Sequence, residues 1–236
     1  MPVDPRLAER FLRVRTRLPG VPELPTRSFG PDEDRWYSYK FTALDEAVRD
    51  VRLPGDFLQL GVFKGQCARF LHARMPAGRR LYLLDSFEGL PAPAGIDSVN
   101  GYTSNFSEGE FAVSLDDVKR TVAAAGMDMS KVAFVKGWFN ETLNDKTARD
   151  IGMTHVAAAW IDCDLYESTV PVLEFLTSRV SEGSILLFDD WRVFRNRPDR
   201  GQQLACREWL ERNPGLELRE LFSFGHHGLA FSVLKR

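Results

Sequence analysis

Three cysteines in 236 residues are too few for a scaffold held by disulfides. Cys67, Cys163 and Cys206 form neither an even set nor a metal-ligand spacing, which fits a reducing, cytoplasmic setting better than secretion. No apolar run approaches the ~20 residues that a bilayer-spanning helix needs, and the N-terminal residues carry charges throughout with no apolar core of a leader. A membrane role is therefore not expected. A basic cluster is also missing: 31 Lys and Arg face 33 Asp and Glu for a net charge of −2, so nucleic acid is not an expected partner. Repeats and low-complexity tracts are absent. The GVFKG stretch, with Gly61 and Gly65 four apart, is too loosely spaced for the GxGxxG turn of a dinucleotide fold.

What is present is a chain with 44% apolar and 27% charged residues, enough for a sizeable core in one α/β domain. Its organising stretch is Trp160 to Ser168, WIDCDLYES. An apolar strand from His155 to Ile161 ends in Asp162 and Asp164, and a helix can begin at Glu167. A second apolar strand, Ile185 to Phe188, ends in Asp189 and Asp190. Two neighbouring parallel strands that end in acids place several carboxylates in one crevice, at the sheet edge where ligands bind. Such crowding is costly unless a hard cation such as Mg²⁺ sits among them. The plainer reading makes these acids helix caps, with Asp164 or Ser168 serving the following helix. It accounts for one acid and not for four at two strand ends.

Upstream, the strand Asp56 to Leu60 leads through LGVFKG into a helix beginning near Lys64. Gly61 and Gly65 stand where absent side chains let backbone approach a ligand. The next strand, Leu81 to Leu84, delivers Asp85 about 20 residues later, where an acid can accept hydrogen bonds from both hydroxyls of a ribose. Glycine turn and acid together describe an adenosine-type cofactor.

The strings LYLLDSFEGLP, GEFAVSLDDVKR, VKGWFNETL, WIDCDLYEST and GSILLFDDW, in that order, closely resemble the macrocin O-methyltransferase (TylF-like) family of S-adenosylmethionine-dependent enzymes. The likeness runs from about Gly55 to Trp209. It implies a doubly wound α/β fold, a Rossmann-like class I methyltransferase with a seven-stranded, mostly parallel sheet whose last strand is antiparallel. It also implies Mg²⁺-dependent methylation of a hydroxyl on a small-molecule natural product, often a sugar hydroxyl of a glycosylated secondary metabolite. By the resemblance, Asp162, Asp189 and Asp190 are metal ligands and Asp164 is the general base. Asp85 with Ser86 holds the cofactor ribose, and Gly61 lies against the methionine portion. Gly65, Trp138 and Asp162 complete the expected cofactor contacts. One position departs from the family: Gln59 stands where an acid usually anchors the cofactor's amino group, and its amide oxygen can accept a hydrogen bond but brings no charge.

Residues 1–53 are expected to form an N-terminal helical arm or lid, with helices near Pro5 to Leu18 and Trp36 to Val51, and 54–236 the methyltransferase domain. The stretch Leu90 to Ser114 is too long for a mere connection and reads as a lid or binding loop. Trp138 and Phe139 suit either the core or an adenine slot. Arg192, Arg195 and Arg197 read as solvated loop charge, and His226 and His227 as turn residues between two antiparallel closing strands. Two other functions stay open at this point: a metal-free binding or regulatory protein of the same fold, and another adenosine-cofactor enzyme such as a nucleotide-sugar dehydrogenase. Homo-oligomerisation is left open.

Overall fold

Strands apolar on both faces pack between two layers of helices, and five segments here meet that requirement. They are β1 (Asp56–Leu60), β2 (Leu81–Asp85), β3 (Val132–Lys136), β4 (Val156–Ile161) and β5 (Ile185–Phe188). All five pair in parallel, in the order β3-β2-β1-β4-β5. A closing hairpin, β6 (Leu216–Phe224) and β7 (Gly228–Lys235), completes a seven-stranded sheet in which β7 runs antiparallel to both β5 and β6. The expected sheet, with its last strand reversed, is what forms. The structure, a computed structural model, describes residues 51, 53–98, 106–225 and 227–235, all within the larger of two compact units of the chain, Tyr37–Arg236.

Six helices follow from the same residues: α1 (Gln66–Arg74), α2 (Leu115–Ala124), α3 (Phe139–Thr142), α4 (Asp145–Ile151), α5 (Tyr166–Leu176) and α6 (Gly201–Arg212). Ser114 starts α2 by accepting the Asp117 N–H, with Asp116 and Asp117 in the positive first turn. Asn144 caps α4 in the same way, and Gly152 ends it at φ 71.

Alternation along the strands divides the core in two. Phe57, Leu83 and Trp160 face α1 and α2, whereas Leu58, Leu84 and Ile161 face α5 and α6. Trp209 of α6 is fully buried, and its indole N–H donates to Thr177 Oγ1 at 2.8 Å, so burial leaves no polar group unpaired there. No described helix is long and apolar enough to cross a membrane.

Several boundaries shift: β2 runs on to Asp85, and α5 begins at Tyr166, one residue before Glu167. β4 begins at Val156, one residue after His155. α1 begins at Gln66 and not near Lys64, because the Gly65 N–H closes a turn onto the Val62 carbonyl and Gly65 sits at φ 80 as the residue before the helix. The segments read as helices at 5–18 and 36–51, and with them the N-terminal arm, lie outside the described residues but for Val51 and Leu53.

Candidate active site

β1 and β4 are the neighbours at which strand order reverses, and their C-terminal ends form the crevice where open α/β sheets bind ligands. Gly61 leaves β1 there and Asp162 leaves β4. The Asp162 N–H donates to the Leu60 carbonyl at 2.9 Å, and a Cβ on Gly61 would run into the Asp162 carbonyl oxygen. Backbone from the acidic strand therefore demands this glycine, which also stands at φ 86. Gly65 has a different constraint, since a Cβ there would come within 2.7 Å of Val122 Cγ1 on α2.

Asp85 braces the turn between them. Its Oδ2 accepts the Val62 N–H at 2.6 Å and the Phe63 N–H at 3.4 Å. Its Oδ1 accepts the Phe87 N–H at 2.6 Å and lies 3.4 Å from the Ser86 hydroxyl oxygen. Ser86 is buried, with its hydroxyl donating to the Gly89 carbonyl at 2.8 Å and accepting the Glu88 N–H at 3.1 Å, so it shapes the turn that follows β2. Gln59 is 1% exposed. Its Nε2 donates to the Gly61 carbonyl at 2.8 Å, while Oε1 is a buried acceptor with no partner. Trp138 follows β3, half-buried, and belongs to neither core cluster, whereas Phe139 packs against the α5 and α6 side.

On the other half of the crevice, carboxylate oxygens of Asp162, Asp189 and Asp190 all lie within 4.8 Å of one another. Oxygens around a bound Mg²⁺ sit about 2.0–2.1 Å from it, hence about 2.9 Å apart when adjacent and about 4.2 Å apart when opposite, so a cation would draw these three carboxylates together. Asp190 is 7% exposed, and Gln202 on α6, fully buried, holds it. The Asp190 N–H donates to Gln202 Oε1 at 3.0 Å, and Gln202 Nε2 donates to the Ile161 carbonyl at 3.2 Å and lies 3.5 Å from Asp190 Oδ2. Trp160 Nε1 donates to Asp162 Oδ2 at 3.3 Å. Asp164 stands at φ 57, and its N–H donates to Asp190 Oδ2 at 3.0 Å. Between the acids, burial pushes the Cys163 thiol well above its usual range.

Neither Asp164 nor Ser168 caps α5, contrary to the simple capping reading. Leu165 is the residue before the helix and offers no side-chain cap. The first-turn amides are taken instead by Asp97, from the 90–114 loop. That loop is tied at its base, with the Leu90 N–H donating to the Glu110 carbonyl and the Gly109 N–H to the Leu90 carbonyl, both at 2.9 Å. Phe111 reaches Phe63 in the glycine turn at 5.6 Å between ring centroids, and Phe106 reaches Phe194 beyond the second acid pair at 6.1 Å. Residues 99–105 lie outside the described set.

Among the described residues, six that are not glycine have positive φ: Phe63, Phe87, Phe111, Asp164, Arg195 and Asn196. All lie in segments that follow the C-terminal ends of β1, β2, β4 and β5, so backbone strain gathers at this edge of the sheet. Arg192 donates to the Gly228 carbonyl and Ser223 Oγ, and Arg197 pairs with Asp199. His227 is exposed and its carbonyl accepts the Arg192 N–H; His226 lies outside the described residues. Asp97 and Gln202 were not visible as site residues in the sequence, where each is one polar residue in a polar stretch.

Residues 38–203 match the family model described as macrocin-O-methyltransferase (TylF). The chain is 33% identical over 155 residues, 63% of its length, to the 8-demethyl-8-(2,3-dimethoxy-alpha-L-rhamnosyl)-tetracenomycin-C 4'-O-methyltransferase of Streptomyces olivaceus, of which it covers 57%. It is 30% identical over 158 residues, 64% of its length, to the mycinamicin III 3''-O-methyltransferase of Micromonospora griseorubida, of which it covers 60%. Among solved structures it is similar to the O-methyltransferase NovP, with a TM-score of 0.66 at 25% identity over 82% of this chain and 79% of that one. The chain thus spans less than two thirds of the length of the two curated relatives. All three are named for methyl transfer to oxygen, which disfavours the dehydrogenase alternative.

Proposed function

Because the chain belongs to the macrocin O-methyltransferase family, we propose that it transfers a methyl group from S-adenosylmethionine to a hydroxyl of a small-molecule natural product, with Mg²⁺ as the metal. A sugar hydroxyl of a glycosylated secondary metabolite is the substrate class that the relatives' names support. The observation that carries the reading is the convergence of Asp162, Asp189 and Asp190 beside the glycine turn.

The residues present fit both groups. Gln59 Oε1, buried and unpartnered, is the acceptor for the cofactor's ammonium. Asp85, with two short bonds to Val62 and Phe87 and two longer contacts at 3.4 Å, would be the acid that holds the ribose hydroxyls. Trp138, half-buried and outside both core clusters, would be available to the adenine. Asp162, Asp189 and Asp190 would hold the cation, with Gln202 bonded to the Asp190 backbone and 3.5 Å from its carboxylate. When bound, S-adenosylmethionine supplies a methyl group on a cationic sulfur, and Mg²⁺ supplies the Lewis acidity that eases loss of a hydroxyl proton. The Asp164 carboxylate takes that proton as general base while the surrounding loops fix the angle of attack.

Turnover is expected to stop on chelation with EDTA. Asp162→Asn removes a charged ligand, so its loss should be partly recovered at high Mg²⁺. Asp164→Asn should bind metal and cofactor as before while kcat falls by on the order of 10²–10⁴, with no recovery by metal. Steady-state rates of both variants across a Mg²⁺ series, with cofactor affinity measured in parallel, make the test. Full turnover by metal-stripped enzyme would sink the metal reading, and rescue of Asp164→Asn by Mg²⁺ would remove Asp164 from its role.

A further inference from the structure

Asp97 is a charged side chain, 1% exposed, in a loop otherwise rich in Pro, Gly, Ser and Asn. Its Oδ1 accepts the Tyr166 N–H and its Oδ2 the Glu167 N–H, each at 3.0 Å, from a position 69 and 70 residues away in sequence. These are the first amides of α5, which have no acceptor within the helix. The loop therefore supplies the cap for the helix that begins two residues after Asp164.

Asp164 needs holding. At φ 57 it occupies a backbone region that a non-glycine residue keeps only where its surroundings enforce it. One end of the turn 162–165 is held through the Asp164 N–H on Asp190 Oδ2, and the other through α5 on Asp97. Burial raises the Asp97 carboxyl above its usual range even though both amide bonds act the other way. A solvent-exposed cap would form the same two bonds without that desolvation, so stability alone does not explain an acid buried here.

We propose that Asp97 is a positioning residue, which fixes the Asp164 carboxylate by capping α5 from the 90–114 loop. The inference rests on Asp164 acting as the base. Asp97→Ala is expected to lower kcat by about 10²-fold, as for a displaced catalytic group, with Mg²⁺ and S-adenosylmethionine dissociation constants unchanged. The Tyr166 and Glu167 amide protons should lose protection from hydrogen exchange. Asp97→Asn, whose single carbonyl oxygen accepts one of the two amides, should restore part of both effects, and it carries the same measurements if the alanine variant does not fold. In the Asp164→Asn background, Asp97→Ala should change kcat no further. An equal loss of kcat in both backgrounds, or a wild-type kcat with the two amides exposed, would overturn the proposal and leave the base assignment standing. Wild-type turnover by Asp164→Asn alone would instead remove the base assignment.

Discussion

A carboxylate at position 59 could not make the bond that Gln59 makes. The amide nitrogen donates to the carbonyl of Gly61, the residue at which the ends of β1 and β4 touch. Gln59→Glu would replace a donor by a charged acceptor at a site 1% exposed, leaving two acceptors face to face. An unsatisfied buried group of this kind costs about 1–3 kcal/mol, and more when charged. The variant without cofactor should therefore melt below wild type by circular dichroism. Saturating S-adenosylmethionine, whose ammonium would meet the new charge, should raise its melting temperature by more than it raises that of wild type. An unchanged melting temperature in the cofactor-free variant would contradict this account of the amide.

Between elements, one contact makes stability depend on pH. The Asp128 N–H, just before the 3-10 turn Met129–Lys131, donates to Nε2 of His72 in α1 at 3.1 Å, which requires that nitrogen to be unprotonated. Partial burial lowers the His72 pKa from its usual 6.5. As pH falls below 6.5 the unfolded chain takes up this proton first, so the contribution is complete above that value and is lost as pH drops through the folded-state pKa. The effect is small because the ring stays partly solvated, and His72→Gln should flatten it. Melting temperatures of both proteins between about pH 8 and about pH 5 provide the comparison. The strands themselves were readable: β1 starts after the Pro54–Gly55 break and β5 coincides with its apolar run, because a strand buried on both faces announces itself through its own residues. Asp97 did not, since its role is set by amides 69 and 70 residues away. Gln202 is equally silent, as nothing local separates a glutamine holding Asp190 from one facing water. Gly61 could be read as a point of close approach, but its partner, the Asp162 backbone, emerges only once β1 and β4 are side by side.

For the molecule as a whole, three carboxylates gathered at the centre of the sheet edge are a repulsive load that a bound cation would relieve. A ligand that binds only the folded state adds about 2.7 kcal/mol at a hundred times its dissociation constant. In a domain of this size that corresponds to a rise in melting temperature of about 5–11 °C. Scanning calorimetry with and without saturating Mg²⁺ should show such a rise in wild type and little of it in Asp189→Asn. Equal shifts in the two would place the cation elsewhere.

The cysteines add a practical property. Cys67, Cys163 and Cys206 are all buried, and burial pushes the Cys206 thiol up to about 12 and that of Cys163 well above its usual range. Alkylating reagents attack exposed thiolates, so they should pass over the native chain. A single introduced thiol, such as Glu108→Cys on the exposed part of the 90–114 loop or Lys146→Cys on α4, would then be the one position to take a fluorophore. Light emitted from a label at position 108 would report changes around the loop in a protein whose own cysteines need not be removed.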